Sequence, residues 1–283
     1  MKTTLELPLP HVSEGRFASV SALTDEKLFE IMGIRIAFTE RSGGTSEGGF
    51  SSLNLANHVG DDTQAVAVNR ALVCEAFDIA VDKLIVPSQV HGDHLVLVSD
   101  AREGFNRACE EAFAGADALV VEAPDVAALL CYADCVPVIV VSPTGRFAVV
   151  HAGWRGVENE IAVHAVRKLS ELDAADGFSQ TKEGMNVYIG PYIHSECFET
   201  GADVHALFTT KFGSECATDA THVDLGCALR VSLPRAGIAS SRIADVGVCT
   251  VCNNDRFFSH RAQSGLAGRH GALAVRFEGG SRS

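Results

Sequence analysis

Apolar positions recur along this chain at two different periods. Residues 84–87, 95–98, 118–121, 127–132, 136–141 and 147–150 are short, apolar or β-branched runs, the pattern of buried strands. Gly33-Ile-Arg-Ile-Ala-Phe38 alternates like a half-buried strand. Residues 64–80 instead follow the helical period, with Val68, Leu72, Ala76 and Ile79 on one face and Asp61-Asp62-Thr63 supplying capping oxygens. Further helices are expected near residues 24–32, 158–172, 203–211 and 226–233, and from about Gly268 onward. Strands are expected at residues 186–189 and 242–248. The stretch Arg41-Ser-Gly-Gly-Thr-Ser-Glu-Gly-Gly can only be a loop. Strands and helices mix without regular βαβ spacing. The expected class is therefore α/β of the mixed α+β kind, a layered sandwich with mixed sheets.

Residues 1–32 read as a variable preface and residues 33–283 as a single catalytic domain, with no internal repeat and no low-complexity linker. Hydrophobic residues make up 47% of the 283, ample for one large core, and charged residues 21%, too few for a disordered chain. The formal net charge of −13 repels phosphate backbones, so nucleic acid is not an expected partner. An anionic substrate would need a local cluster of arginines. No apolar run reaches the ~18 residues of a membrane span; the richest, 126–141, is broken by Asp134 and Pro137. The first residues carry acids and prolines where a signal peptide needs an apolar segment. A cytoplasmic location without a membrane partner is the expectation. Nine cysteines, an odd number, do not read as a disulfide scaffold. Cys74, Cys131, Cys216 and Cys227 sit among apolar residues and read as small buried side chains.

Three segments end an apolar strand with a side chain able to bind metal: Ser88-Gln-Val-His91-Gly-Asp-His94, Cys131-Tyr-Ala-Asp-Cys135-Val-Pro and Val149-Val-His151-Ala-Gly-Trp-Arg-Gly156. Rigid strand ends are where a scaffold aims catalytic groups into a cleft. Two imidazoles and a thiolate make a three-ligand set, and zinc held by three protein ligands keeps a fourth position for water or substrate. The glycines after His91 and His151 permit sharp turns and close backbone approach. Trp154 and Arg155 offer a flat apolar wall and an anion partner. His94 would face away from His91 on an extended strand. Cys249-Thr-Val-Cys252 has knuckle spacing but no second matching pair, and reads as structural, as does His58. Arg261 and Arg269 read as solvated surface residues.

Phe38-Thr-Glu-Arg-Ser-Gly-Gly-Thr-Ser46, Ser52-Leu-Asn-Leu55, His58-Val-Gly-Asp-Asp62, Gln89-Val-His-Gly92, Ala116-Asp-Ala118, Ala133-Asp-Cys-Val-Pro137 and His151-Ala-Gly-Trp-Arg-Gly156 stand in this order along the chain. Behind them come Ile189-Gly-Pro191, Asp224-Leu225, Cys249-Thr250, Phe257-Phe-Ser259 and Gly268-Arg269. This ordered set, from about residue 34 to 275, resembles the YfiH/laccase-domain family, also called multicopper polyphenol oxidase-like or purine nucleoside phosphorylase proteins. The resemblance implies a sandwich similar to that of cysteine-dependent deamidase toxins. It implies a metal, zinc with copper as the alternative, on His91, Cys135 and His151. It further implies phosphorolysis of adenosine, inosine, guanosine and S-methyl-5'-thioadenosine, with deamination of adenosine as a second activity. Zinc lowers the pKa of a water in its open position towards ~7, as deamination requires. Arg41, Asn54 and Arg155 are the expected substrate and phosphate contacts, since a guanidinium grips phosphate bidentately. Other readings are a copper-dependent polyphenol oxidase, a hydrolase with Cys135 as nucleophile, and editing of peptidoglycan precursors. Three motifs depart from the family's usual Ser-Thr-Arg, Cys-Tyr-Glu-Val and Ser-Tyr-Arg-Arg: they read Thr39-Glu40-Arg41, Cys197-Phe-Glu-Thr200 and Ser259-His-Arg-Ala262. None removes a proposed ligand.

Overall fold

The computed structural model describes residues 6–99 and 102–279. Its frame is two six-stranded sheets. In chain order the strands are β1 (Ser13–Phe17), β2 (Val20–Thr24), β3 (Ile34–Thr39), β4 (Leu84–Ile85), β5 (Leu95–Val98), β6 (Ala118–Val121), β7 (Ala127–Tyr132), β8 (Val136–Val141), β9 (Phe147–Ala152), β10 (Asn186–Ile189), β11 (Ile243–Asp245) and β12 (His270–Arg276). The first sheet has the order β1-β2-β3-β12-β7-β4 and the second β11-β10-β8-β9-β6-β5. Both are mixed: β4 runs parallel to β7 and β5 to β6, while β8 and β9 are antiparallel.

The inner strands β3, β6 to β10 and β12 are buried at both parities because both faces of each sheet are covered there, whereas the edge strand β1 is polar and largely exposed. On β9, Phe147 and Val149 enter the core between the sheets, whereas Ala148, Val150 and Ala152 face a second core. That second core is closed by α5 (Ile161–Ala175), α6 (Ala202–Phe212) and α7 (Leu225–Arg235). On β7, Leu130 and Tyr132 point between the sheets, and Leu129 and Cys131 point to a third core. Beyond that face lies α2 (Thr63–Ala76), while α3 (Arg102–Ala114) packs against β5. The result is a four-layer stack with helices outside, the mixed α/β sandwich expected.

The structure corrects several element assignments. The helix expected from Gly268 is β12, which lies between β3 and β7 in the first sheet. Its alternation puts Ala272 and Ala274 between the sheets and Leu273 and Val275 on the opposite face. Small residues suit a helix equally well, and only pairing partners on both sides settle the matter. The helix expected at 158–172 is α5, which starts later because Glu160, with φ 58°, separates it from the short α4 (Trp154–Glu158). On α2 the period is right and the phase is not. Val68 is 46% exposed, and the buried stripe is Val66, Asn69, Val73 and Cys74. Asn69 sets that phase. Its amide donates to the Ser52 and Asn54 carbonyls and accepts from the Thr45 N–H, satisfying the glycine-rich loop.

Residues ahead of the family motifs join the same sheet. β2 pairs with β3 through Ala22↔Thr39, and α1 (Glu26–Met32) is capped by Asp25, which accepts the Leu28 N–H. The same carboxylate accepts the Tyr188 hydroxyl, so packing continues across residue 32. Among the described residues no helix is long and apolar enough to cross a membrane.

Candidate metal centre

At one end of the sandwich the chain crosses twice from the first sheet to the second. The β4–β5 connection carries His91, and the short β7–β8 connection carries Cys135. His151 lies near the end of β9, at the parity of Phe147 and Val149, so it points between the sheets. Two crossovers and one strand end therefore meet at the mouth of the inter-sheet core. The ligand atoms of His91, Cys135 and His151 all lie within 4.8 Å of one another. The fold thus brings together three side chains that are far apart in sequence.

Asp117, fully buried just before β6, organises the cluster. One oxygen accepts the His91 N–H at 3.1 Å and faces His151 Nδ1 at 2.7 Å. The other accepts the Val90 and Gly92 N–H groups at 3.2 and 2.7 Å. The backbone wraps the carboxylate in this way because His91 takes φ 59°. That left-handed conformation costs ~1–2 kcal/mol, offset by charge-assisted hydrogen bonds to the carboxylate. With Nδ1 committed to Asp117, His151 turns Nε2 toward Cys135, the carboxylate–histidine arrangement that orients metal-bound imidazoles.

Burial alone would raise the Cys135 thiol; the charge of His151 and hydrogen bonds from both histidines override it and bring it to about 6. Burial alone would lower His151; the Cys135 charge and the Asp117 hydrogen bond raise it to about 9. Without a cation, then, the centre is a thiolate–imidazolium pair, and the thiolate is already the species that ligates metal. Gly153 completes the fit. A Cβ there would lie 3.3 Å from Cys135 Sγ and 3.4 Å from His91 Cδ2. Only a residue without a side chain leaves that space between the ligands open. Two imidazoles, one thiolate and a carboxylate behind them fit a metal ion with one position free.

The centre opens into a cavity of about 350 Å³, within the range of small-molecule sites. Its walls include His58, Phe198, His260, Arg261 and Arg269. Arg261 donates to the Cys197 and Glu199 carbonyls, and Arg269 to those of Ala267 and Gly268; each has N–H donors left over. Sequence reasoning assigned His58, Arg261 and Arg269 to structure or solvent. The motifs that contain them were visible, but nothing local shows that they converge.

Arg41, Asn54 and Arg155 do not line this cavity. Arg41 donates to the Ser51 and Asn254 carbonyls. Asn54, fully buried, bonds Ala56 and Asp61 and accepts the Arg269 N–H. It supports Arg269 rather than facing the cavity. Arg155 is exposed and stacks over Trp154 at 4.2 Å. Trp154 packs against the helical core, not the cavity. His94 pairs with Glu111, away from the cluster. Cys74, Cys131 and Cys216 are buried as expected, and Cys227 partly so.

An inter-sheet His₂Cys cluster backed by a buried carboxylate, open to a small-molecule cavity, defines an α/β sandwich protein whose site is able to hold a metal ion. A family model described as multi-copper polyphenol oxidoreductase laccase matches residues 35–276, and the chain belongs to that family. The purine nucleoside phosphorylase YlmD of Geobacillus stearothermophilus is 34% identical over 255 residues, 85% of this chain and 89% of that protein. An adenosine deaminase from an unknown prokaryotic organism is 29% identical over 248 residues, 84% of this chain and 92% of its own length. The crystal structure of Geobacillus stearothermophilus YlmD superimposes with a TM-score of 0.81 at 30% identity, covering 94% of this chain and 99% of that one.

Proposed function

We propose that the protein is a zinc-dependent purine nucleoside phosphorylase acting on adenosine, inosine, guanosine and S-methyl-5'-thioadenosine, with adenosine deamination as a second activity in the same cavity. The observation that carries this reading is the convergence of His91, Cys135 and His151 on one point at the floor of a cavity that also holds Arg261 and Arg269. Relatives named purine nucleoside phosphorylase and adenosine deaminase support it.

His91, Cys135 and His151 would hold the zinc. When bound, it supplies a Lewis acid at an open position beside the substrate. Asp117 holds the proton on His151 Nδ1, so the nitrogen that would give up its proton to the metal is Nε2. Arg261 and Arg269 hold phosphate, their spare N–H donors offsetting the field of a chain with net charge −13. His58 and His260 line the same walls and are placed to exchange protons with a departing purine or bind its edge. Phe198 gives the base an apolar face.

A second reading draws on one specific observation. Cys135, His151 and Asp117 form a thiolate–imidazole–carboxylate series, the arrangement of an activated cysteine nucleophile. In that case the protein is a hydrolase whose activity survives chelation. The deciding experiment is phosphate-dependent release of base from a panel of purine nucleosides, with wild type compared with Cys135→Ala and with chelator-treated protein. Base release that requires phosphate, Cys135 and the metal supports the phosphorylase. Release independent of phosphate, or undiminished by chelation, overturns it.

A further inference from the structure

Behind the cavity wall lies another convergence of donor atoms. The ligand atoms of Glu196, Cys197, Cys249 and Cys252 all lie within 4.8 Å of one another. Glu196 and Cys197 belong to the segment that leaves β10, and Cys249 and Cys252 to the turn after β11. Sequence spacing shows one knuckle, Cys249-x-x-Cys252, and no second pair. The missing donors come from a segment about 55 residues earlier, brought alongside by β10 and β11 pairing in parallel.

Three details favour a cation over a disulfide. The Cys197 and Cys252 sulfurs are 3.7 Å apart, and all the described cysteines are free. A disulfide needs ~2.05 Å, whereas a tetrahedron with metal–sulfur bonds of ~2.3 Å has edges of ~3.8 Å. The buried Cys249 sulfur accepts the His194 N–H at 3.5 Å, as a ligating thiolate does. The backbone holds the donors in place independently. Thr250 donates to the Tyr192 carbonyl at 3.0 Å, Tyr192 bridges Cys249, and Asn253 closes the turn onto the Cys249 carbonyl.

We propose that Cys197, Cys249, Cys252 and Glu196 form a second metal site, taking a thiophilic divalent cation of zinc's class. Four protein ligands close the coordination shell, so this site is structural, with no position for substrate. It clamps together the two segments that build the cavity wall. Phe198, the next residue after Cys197, lines the cavity. Arg261 is tied to the Cys197 and Glu199 carbonyls. Thr250, the residue after Cys249, donates to Asp134, the neighbour of Cys135. The site is independent of the reaction proposed above and stands or falls without it.

Elemental analysis of the full chain tests it. Wild type is expected to hold about two zinc ions per chain, Cys135→Ser and Cys252→Ser about one each, and the double variant none, since each substitution removes a thiolate ligand from one site only. Cobalt-loaded Cys135→Ser should keep most of the wild-type thiolate-to-metal charge-transfer absorption, whereas Cys252→Ser should fall to the weaker band of the single Cys135 thiolate. Circular dichroism checks that each variant is folded. Should Cys252→Ser fail to fold, Glu196→Ala at an exposed position serves instead, and should weaken zinc retention against a chelator. Unchanged metal content in a folded Cys252→Ser protein, or unchanged zinc retention against the chelator in Glu196→Ala, overturns the proposal. So does a Cys197–Cys252 disulfide found by thiol titration of protein purified under reducing conditions.

Discussion

Replacing Asp117 by asparagine keeps the side chain's shape and removes one charge, and the hydrogen bonds around it set the consequence. One carboxylate oxygen serves the Val90 and Gly92 N–H groups, the other the His91 N–H and His151 Nδ1. An asparagine has one acceptor oxygen and one NH₂ group, so it can replace only one of those two positions. If the NH₂ faces Val90 and Gly92, donors meet donors, and two part-buried N–H groups lose their acceptor, at about 1 kcal/mol or more each. If it faces His151, Nδ1 must accept, the ring proton moves to Nε2, and the nitrogen meant for the metal is blocked. Either way the left-handed turn at His91 loses charge-assisted support. The expected outcome is a destabilisation of about 2–4 kcal/mol and a ~10–100-fold loss of metal affinity. Urea unfolding reads the first, and zinc competition against a chromophoric chelator reads the second. An Asp117→Asn protein that binds zinc like wild type would refute the argument that this carboxylate sets the tautomer.

Gly153→Ala tests the space between the ligands. Gly153 has φ −66° and ψ 172°, which alanine adopts freely, so the fold should persist while metal affinity falls roughly tenfold or more; equal affinity in the chelator assay would mean that the cradle is looser than its distances imply. Arg261→Ala and Arg269→Ala should each raise the phosphate KM ~10–100-fold, the scale of a lost charge-assisted bond. Arg155→Ala, exposed and stacked on Trp154, should stay within about twofold; initial-rate kinetics in phosphate separates the two groups, and the reverse order would return the anion to Arg155. In metal-free protein, Cys135 should be alkylated as a thiolate above about pH 6 and protected below it, because its thiol is held down to about 6 by the histidines. Mass spectrometry of the labelled peptide across pH reads this directly, and an ordinary midpoint near ~8.5 would contradict it.

The three converging side chains were legible as candidate ligands because each stands beside an apolar run within two residues of glycine or proline, local features that need no partner to be seen. His91, Cys135 and His151 were found in this way, as were the strands at residues 127–132 and 136–141, whose apolar character is continuous. Asp117 gave a weaker signal: it sits in an ordered motif, but a carboxylate beside an apolar strand has no distinctive spacing to mark its task. The same holds for Arg261 and Arg269, which look like surface arginines until the sheets bring their loops to the cavity. Asn54 and Arg41 carried the family pattern, and in the fold they support loops.

Local periodicity thus determined most of the strands and helices between residues 34 and 233, and local chemistry determined which side chains can bind a metal. Tertiary structure decided phase, partners and convergence. Asn69 rotates α2 to satisfy a loop it never meets in sequence. β12 becomes a strand because β3 and β7 flank it. The two crossovers between sheets bring His91 and Cys135 to His151. The physical reason is common to all three. A hydrogen-bond partner, a strand neighbour or a shared ligand point lies far along the chain, and its free energy depends on a distance that no window of sequence contains.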